Sequence, residues 1–546
     1  MVVNVHRERH TRVPKNADRT SGSTPLRRKT VWLRNVPTGS ETQVVAPTAS
    51  IYLSLAFSPD GNFIYFRKSV GTNIYNLYRT PVLGGTPQAI ARDVQSDVAF
   101  SPDGQHIAYC RKNDPEVGKY RLLMASMDGS GERVLQIGPV LEATAFLAWS
   151  PNGNEITYSV VLADQGSAID VFDVHAGKAH RFTTLKDKFP AELKWSPDGR
   201  TLFVMYVQGA NFLRGQIGFF SGAGGDIEPI TRDTNRYAGL TLSADGRNLA
   251  TVLTKHLANI YILATAGNDS GGAKPLFSQA KDIIGFNWTA DGNLLATEFG
   301  RVLKVDVDGK NQTQLLADSS APMGVPSACG GNYFVFAAFR GNTSWSTIWR
   351  INTDGSSPLK LTNGKRDWFP VCSRDQKWVF YRDGADRSIW RVPLDGSGKP
   401  EAVPGTIIPN ALAGAGVVSP DGKTLARLVQ LLNQETQEYQ SKIALLNLES
   451  PTAPRMLDVS GHVGGSEIGW EGVQFTPDGK AVVHTVRENG VDNIWVQPLD
   501  GSVGHRITNF TSEQISSFHW SPDGKKIGIL RGHSDSDVVL LQESKQ

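Results

Sequence analysis

Cysteine is scarce. Cys110, Cys329 and Cys372 are the only three in 546 residues, an odd number without C-x-x-C spacing, which argues against a disulfide framework and against a thiolate zinc site. The redox compartment therefore stays open. No apolar run approaches the roughly 18 residues of a membrane span, and the polar N-terminus lacks the apolar core of a secretory signal. As written, the chain is expected neither to span a membrane nor to export itself. Net charge is nearly absent too: 56 basic against 53 acidic side chains leave +3, so no global field points to nucleic acid or an anionic membrane as the partner. The imbalance is local. Arg7, Arg9, Arg12, Lys15, Arg19, Arg27, Arg28 and Lys29 stand against Glu8 and Asp18, and residues 1–30 read as a disordered basic tail.

Reaction signatures are missing as well. There is no "HRD", no "DFG" and no Lys-bearing Gly-rich loop, which excludes phosphoryl transfer by a kinase apparatus, and no G-x-S-x-G elbow of a serine hydrolase. "GVVSPDGKT" (416–424) ends like a phosphate-binding loop, but its first glycine is one residue too far away and a strand pattern follows it. "HRERH" (6–10) is not a zinc helix motif, and "KVDVDGKNQ" (304–312) lacks the closing glutamate of a calcium loop. The reading is of a non-enzyme, with no catalytic residue, no metal ligand and no cofactor assigned.

What the chain does have is a repeat. "FSPDG" (57–61) returns at 100–104 and, with small changes, as "WSPNG", "WSPDG", "LSADG", "WTADG", "CSRDQ", "VSPDG", "FTPDG" and "WSPDG". The steps between successive Asp or Asn markers are 43, 49, 46, 47, 46, 84, 46, 57 and 45, and the double step hides a worn copy at "ACGGNYFVFAAF" from Ala328. A period in the forties built of short apolar segments is the mark of four-stranded propeller blades. Within each unit Ser-Pro-Asp-Gly suits a turn: Pro presets φ, Asp bonds back to the backbone and Gly accepts positive φ. A second strand follows, then a third with an Ile/Leu-aromatic pair such as Leu77-Tyr78 or Ile389-Trp390, then an Asp-Gly hairpin before the fourth. The fold class expected is all-β, with about eleven four-stranded blades arranged as two β-propellers: 31–300 the first and 301–546 the second, the boundary between 275 and 330. Residues 31–46 are expected to pair with the strand around Val538 to Leu541, so that both termini share a blade and the second ring is an insertion into the first.

These motifs resemble the TolB-like, WD-repeat-like propeller family. The run "LAFSPDGNFIYF…NLYRTPVLGGTPQAIARDVQSDVAFSPDGQHIAY", with "NIWVQPLDG" and "SDVVLL", is similar to the propeller that follows the kinase domain in acidobacterial serine/threonine kinases, and a related region follows winged-helix domains. The resemblance covers about residues 31–546. It implies a sensor or interaction module; the ligand expected is a protein, peptide or small molecule, with no nucleic acid in view of the near-neutral charge, and a monomer is expected. It also allows an extracytoplasmic placement and a separate kinase or DNA-binding fusion partner.

An arginine recurs after the second strand, at Arg67, Arg111, Arg340, Arg382, Arg487 and Arg531, and the plain account is that each bridges to an Asp or carbonyl of a neighbouring blade. For the binding site the links between blades stand out, because Arg236 beside Tyr237 and Arg366 beside Trp368 are residue types that dominate recognition surfaces. All four are expected on loops at the face opposite the "SPDG" turns. The alternative is a propeller-type lyase or hydrolase, marked by three or more His, Asp or Glu side chains meeting at an axis with a metal.

Overall fold

The computed structural model describes residues 2–7, 29–34, 38, 40–48, 52–71, 74–116, 118–139, 146–162, 166–186, 188–208, 214–222, 224–233, 235–243, 245–265, 273–298, 301–317, 323–338, 346–364, 366–384, 387–409, 411–432, 439–450, 453–459, 462–463 and 472–542. Among these every regular element is a strand, and the sheets are antiparallel and mostly four-stranded, in the blade order of a propeller. No described helix is long and apolar enough to cross a membrane.

The "SPDG" copies are turns held by local hydrogen bonds. At Ser196 the hydroxyl donates to Asp198 Oδ1 (2.6 Å) and accepts the Thr201 N–H (2.9 Å), Asp198 Oδ1 accepts the Arg200 N–H (3.1 Å), and Gly199 closes on the Ser196 carbonyl at φ +70°. The same pattern recurs at Ser101, Ser243, Ser373, Ser419, Thr476 and Ser521. Each serine or threonine hydroxyl holds the turn aspartate below its ordinary value, as at Asp103, Asp198, Asp245 and Asp523. A depressed folded pKa contributes stability that is present above the ordinary value and lost as pH falls through the depressed one. The midpoint of thermal unfolding should therefore fall as pH drops below about 3.8; a midpoint that does not move between about pH 5 and about pH 2 would show that these turns contribute nothing.

The aliphatic members of the third-strand pairs point inward: Leu77, Ile348 and Ile494 are fully buried, and Ile389 nearly so. The recurring arginines tie blades at their joints. Arg111 donates to the Arg92 carbonyl and pairs with Glu132, Arg382 donates to the Ala413 carbonyl, and Arg531 to that of Ser512. Arg427, wholly buried, reaches the carbonyls of Thr406, Arg387 and Gly414 at 2.7–2.9 Å. Arg340 lies outside the described residues.

The chain forms two compact units. Of the described residues, the first holds those within 2–208, 214–254 and 536–542, and the second those within 255–535. The chain thus leaves the first unit at 254 rather than between 275 and 330, and returns to it at 536. The reason is visible in two strands of 17 residues, Asn248–Ala264 and Lys526–Gln542, which run side by side without a turn where an ordinary blade would fold back.

In the first unit four four-stranded blades (52–91, 99–139, 147–185, 188–229) are followed by Arg236–Leu242 and the adjoining parts of the two long strands. Among the described residues, none of 31–46 pairs with Val538–Leu541. Lys29–Arg34 instead pairs with Val2–Arg7 and Glu41–Thr48, and Val31, Leu33, Val44 and Val45 pack on Tyr52, Ile64 and Phe66 of the 52–91 blade. The last strand already has its partner in Asn248–Ala264. Val2–Arg7, read as tail, is therefore part of a sheet, and 8–28 lie outside the described residues.

In the second unit five blades (283–317, 323–360, 367–402, 411–458, 462–506) are joined by a sixth, formed by Gln514–Trp520, parts of the two long strands and Lys274–Pro275. The worn copy at Ala328 makes an ordinary hairpin between Met323–Cys329 and Tyr333–Ala338. Gln514–Trp520 meets both Ile283–Trp288 and Val491–Pro498, and the Trp288 indole donates to the His519 carbonyl at 2.8 Å. Those contacts close the ring.

Cys329 and Cys372 form a disulfide, and Cys110 is free and buried. This corrects the reading against disulfides. Their sequence separation of 43 is one blade repeat, so both occupy the position just before the turn in consecutive blades, with Cα atoms 5.4 Å apart.

Candidate functional site

The first unit holds a half-open cavity of about 750 Å³ among its inner strands. Its lining follows the repeat. Four residues before each turn serine or threonine-equivalent stand Ser54, Asp97, Phe146, Glu192 and Gly239, and two residues before stand Ala56, Ala99, Ala148, Lys194 and Thr241; all ten face the cavity. Side chains two apart on a strand share a face, so the repeat places one layer above the other. Bulges at 53–56, 190–192 and 238–240 turn the upper layer inward, and Gly239 sits in one of them at φ +76° with open space where a side chain would project.

Three charges enter this space. Asp97 accepts the Ser54 hydroxyl and lies 3.4 Å from Arg67 Nη2, while Arg67 also donates to Ser54 Oγ at 2.6 and 2.9 Å, so the Asp97 charge is matched. Glu192 Oε2 accepts the Leu240 N–H at 2.5 Å and has no ion pair among the described residues. Burial, and then the Asp97 charge, push its carboxyl up to about 7, while Lys194 works the other way. Lys194 likewise has no ion pair among the described residues. Phe57, Phe100, Trp149 and Trp195 complete an amphipathic wall. Among the described residues no group of three or more His, Cys, Asp or Glu stands together as a metal set. A smaller space of about 460 Å³ lies in the second unit between the 367–402 and 411–458 blades, where Arg391 covers Trp378 at 4.4 Å and pairs with Glu401.

The residues proposed from the sequence are placed differently. Arg236 and Tyr237 belong to the first unit, Arg366 and Trp368 to the second. Three of the four are strand residues, on Arg236–Leu242 and Asp367–Cys372, rather than loop residues. Tyr237 is 6% exposed, packs with Ile217, Leu240 and Leu249, and donates its hydroxyl to Asp233 at 2.7 Å. It is a packing residue, because the inner strand begins at Arg236 and its first inward side chain must fill the seam. Arg366 is exposed at φ +73°, its carbonyl accepting the Gly384 N–H, and half-buried Trp368 lies against Phe369. Sequence reasoning missed Asp97, Glu192 and Lys194. The usable signal was their fixed offset from each turn serine, where the other copies carry mostly small or uncharged residues.

No protein-family model and no curated protein matches the chain. Solved structures similar to it include TolB from Agrobacterium tumefaciens (21% identity over 54% of this chain and 89% of that one, TM-score 0.36). TolB from Acinetobacter baumannii shares 16% identity over 64% of this chain and 80% of that one, TM-score 0.28. Oligogalacturonate lyase from Vibrio parahaemolyticus shares 12% over 88% and 100%, TM-score 0.29.

Proposed function

We propose that this chain is a non-enzymatic recognition module that binds a peptide or small molecule in the cavity of its first unit, as the sensing part of a signalling assembly of the kind its repeats resemble. The observation that carries this reading is that successive blades contribute the same two repeat positions to one space of about 750 Å³. That is the size and mixed character of ligand sites, roughly 300–1,000 Å³, apolar with a few placed polar groups. The disulfide between consecutive blades agrees with an extracytoplasmic placement.

The test is thermal unfolding of the intact chain against a panel of short peptides and small metabolites, in parallel with Ala56→Trp, which fills the small-residue layer at a half-buried position. A ligand at a hundred times its Kd stabilises by about 2.7 kcal/mol. Ligands that stabilise the parent are expected to lose that effect in the variant; equal stabilisation of both would place binding elsewhere. A lyase or hydrolase is the second reading, favoured only by Glu192, whose carboxyl near 7 beside Asp97 is poised as a general acid would be. Turnover of a bound ligand, abolished in Glu192→Gln, would decide for it.

A further inference from the structure

Resting on that reading of the cavity, we propose that its ligand is a small zwitterion of the amino acid or short-peptide class, with the ammonium held at Glu192 and the carboxylate at Lys194. Glu192 and Lys194 leave the same face of strand Lys188–Trp195, two residues and hence about 6.6 Å apart. Both line the cavity, and neither has an ion-pair partner among the described residues. The half-buried Glu192 carboxylate carries a desolvation cost that a ligand ammonium removes, and the half-buried Lys194 ammonium offers a ligand carboxylate a charge-assisted contact.

The other charges at this level do not compete. Asp97 is matched by Arg67 and bonded by Ser54, and the remaining positions of the two layers are Phe146, Gly239, three alanines and Thr241. Asp97 adds to the negative potential that favours an ammonium in the upper layer. Lys194 is the one cation of the lower layer, which favours an anion there. A simple amine would leave Lys194 unmatched, and a simple acid would leave Glu192 unmatched. Phe100, Trp149 and Trp195 offer apolar and aromatic surface to a side chain between the two ends.

The probes are glycylphenylalanine, its N-acetyl derivative and its C-terminal amide, titrated calorimetrically into the intact chain, Glu192→Gln and Lys194→Gln. The free dipeptide is expected to bind the parent on the order of tenfold or more tightly than either capped form, the effect of one charge-assisted contact. Glu192→Gln should weaken the free dipeptide and the amide while sparing the N-acetyl form, and Lys194→Gln should weaken the free dipeptide and the N-acetyl form while sparing the amide. Equal affinities for the three probes, weakening that ignores which end is capped, or no binding of any probe at millimolar concentration would overturn the zwitterion proposal. If those results came with neutral ligands that still lose their effect in Ala56→Trp, the cavity would remain the binding site and only its ligand class would be wrong.

Discussion

Replacing Asp492 with alanine is expected to destabilise the second unit by about 3–5 kcal/mol, the cost of breaking a buried ion pair from one side. Asp492 is fully buried, and the Arg487 side chain is 5% exposed beside it. The two carboxylate oxygens take Arg487 Nε and Nη2, the latter at 2.6 Å, and Oδ2 also accepts the Ile515 N–H at 3.0 Å. Ile515 lies on Gln514–Trp520, the inner strand of the blade that closes the ring. Removing the carboxylate therefore leaves a buried guanidinium without its counter-charge and an orphaned N–H at the closing seam. Asp492→Ala with Arg487→Met should recover much of the loss, because the uncompensated charge is then gone as well. Calorimetry, resolving more than one transition if the units unfold separately, measures both variants. A single-variant loss below about 1 kcal/mol would show that water reaches the pair.

Reducing the Cys329–Cys372 bond is expected to have an effect of similar size. Its sequence separation of 43 residues corresponds, through the loop-closure entropy of the unfolded chain, to roughly 4 kcal/mol. The bond joins the ends of the inner strands of two adjacent blades, so its loss also frees the seam packed by Val335, Ile348 and Val379. Thiol titration in denaturant should find one free thiol, Cys110, before reduction and three after it. The transition of the second unit should fall on reduction and in Cys329→Ala with Cys372→Ala alike. Three free thiols without reductant would show that the bond does not form. A bond present but without effect on unfolding would show that the blade seam is held by packing alone.

The turns were legible in the sequence because everything that makes them lies within five residues: the Ser196 hydroxyl reaches Asp198 and Thr201, and Gly199 supplies the positive φ. The blades were legible because the pattern of apolar strands and Asp-Gly hairpins repeats at a near-constant step, and the buried aliphatics of the third strands follow from it. The bridging arginines were legible as a recurring residue, although the carbonyls they reach had to be seen.

The sequence by itself determined the all-β class, the four-stranded unit and the role of "SPDG", since each depends on short-range hydrogen bonds and on side-chain alternation along a strand. Tertiary structure decided where one unit gives way to the other, because that depends on which strand Lys526–Gln542 finds as a neighbour, and its partner Asn248–Ala264 lies far away in sequence. It decided the cysteine pairing, which needs two consecutive blades in register before the Cα atoms can come within 5.4 Å. It also decided the site. Tyr237 has the composition of an exposed anchor yet is packed in a seam, whereas Asp97 carries no local motif and shares a cavity with Glu192 and Lys194 only because separate blades face it.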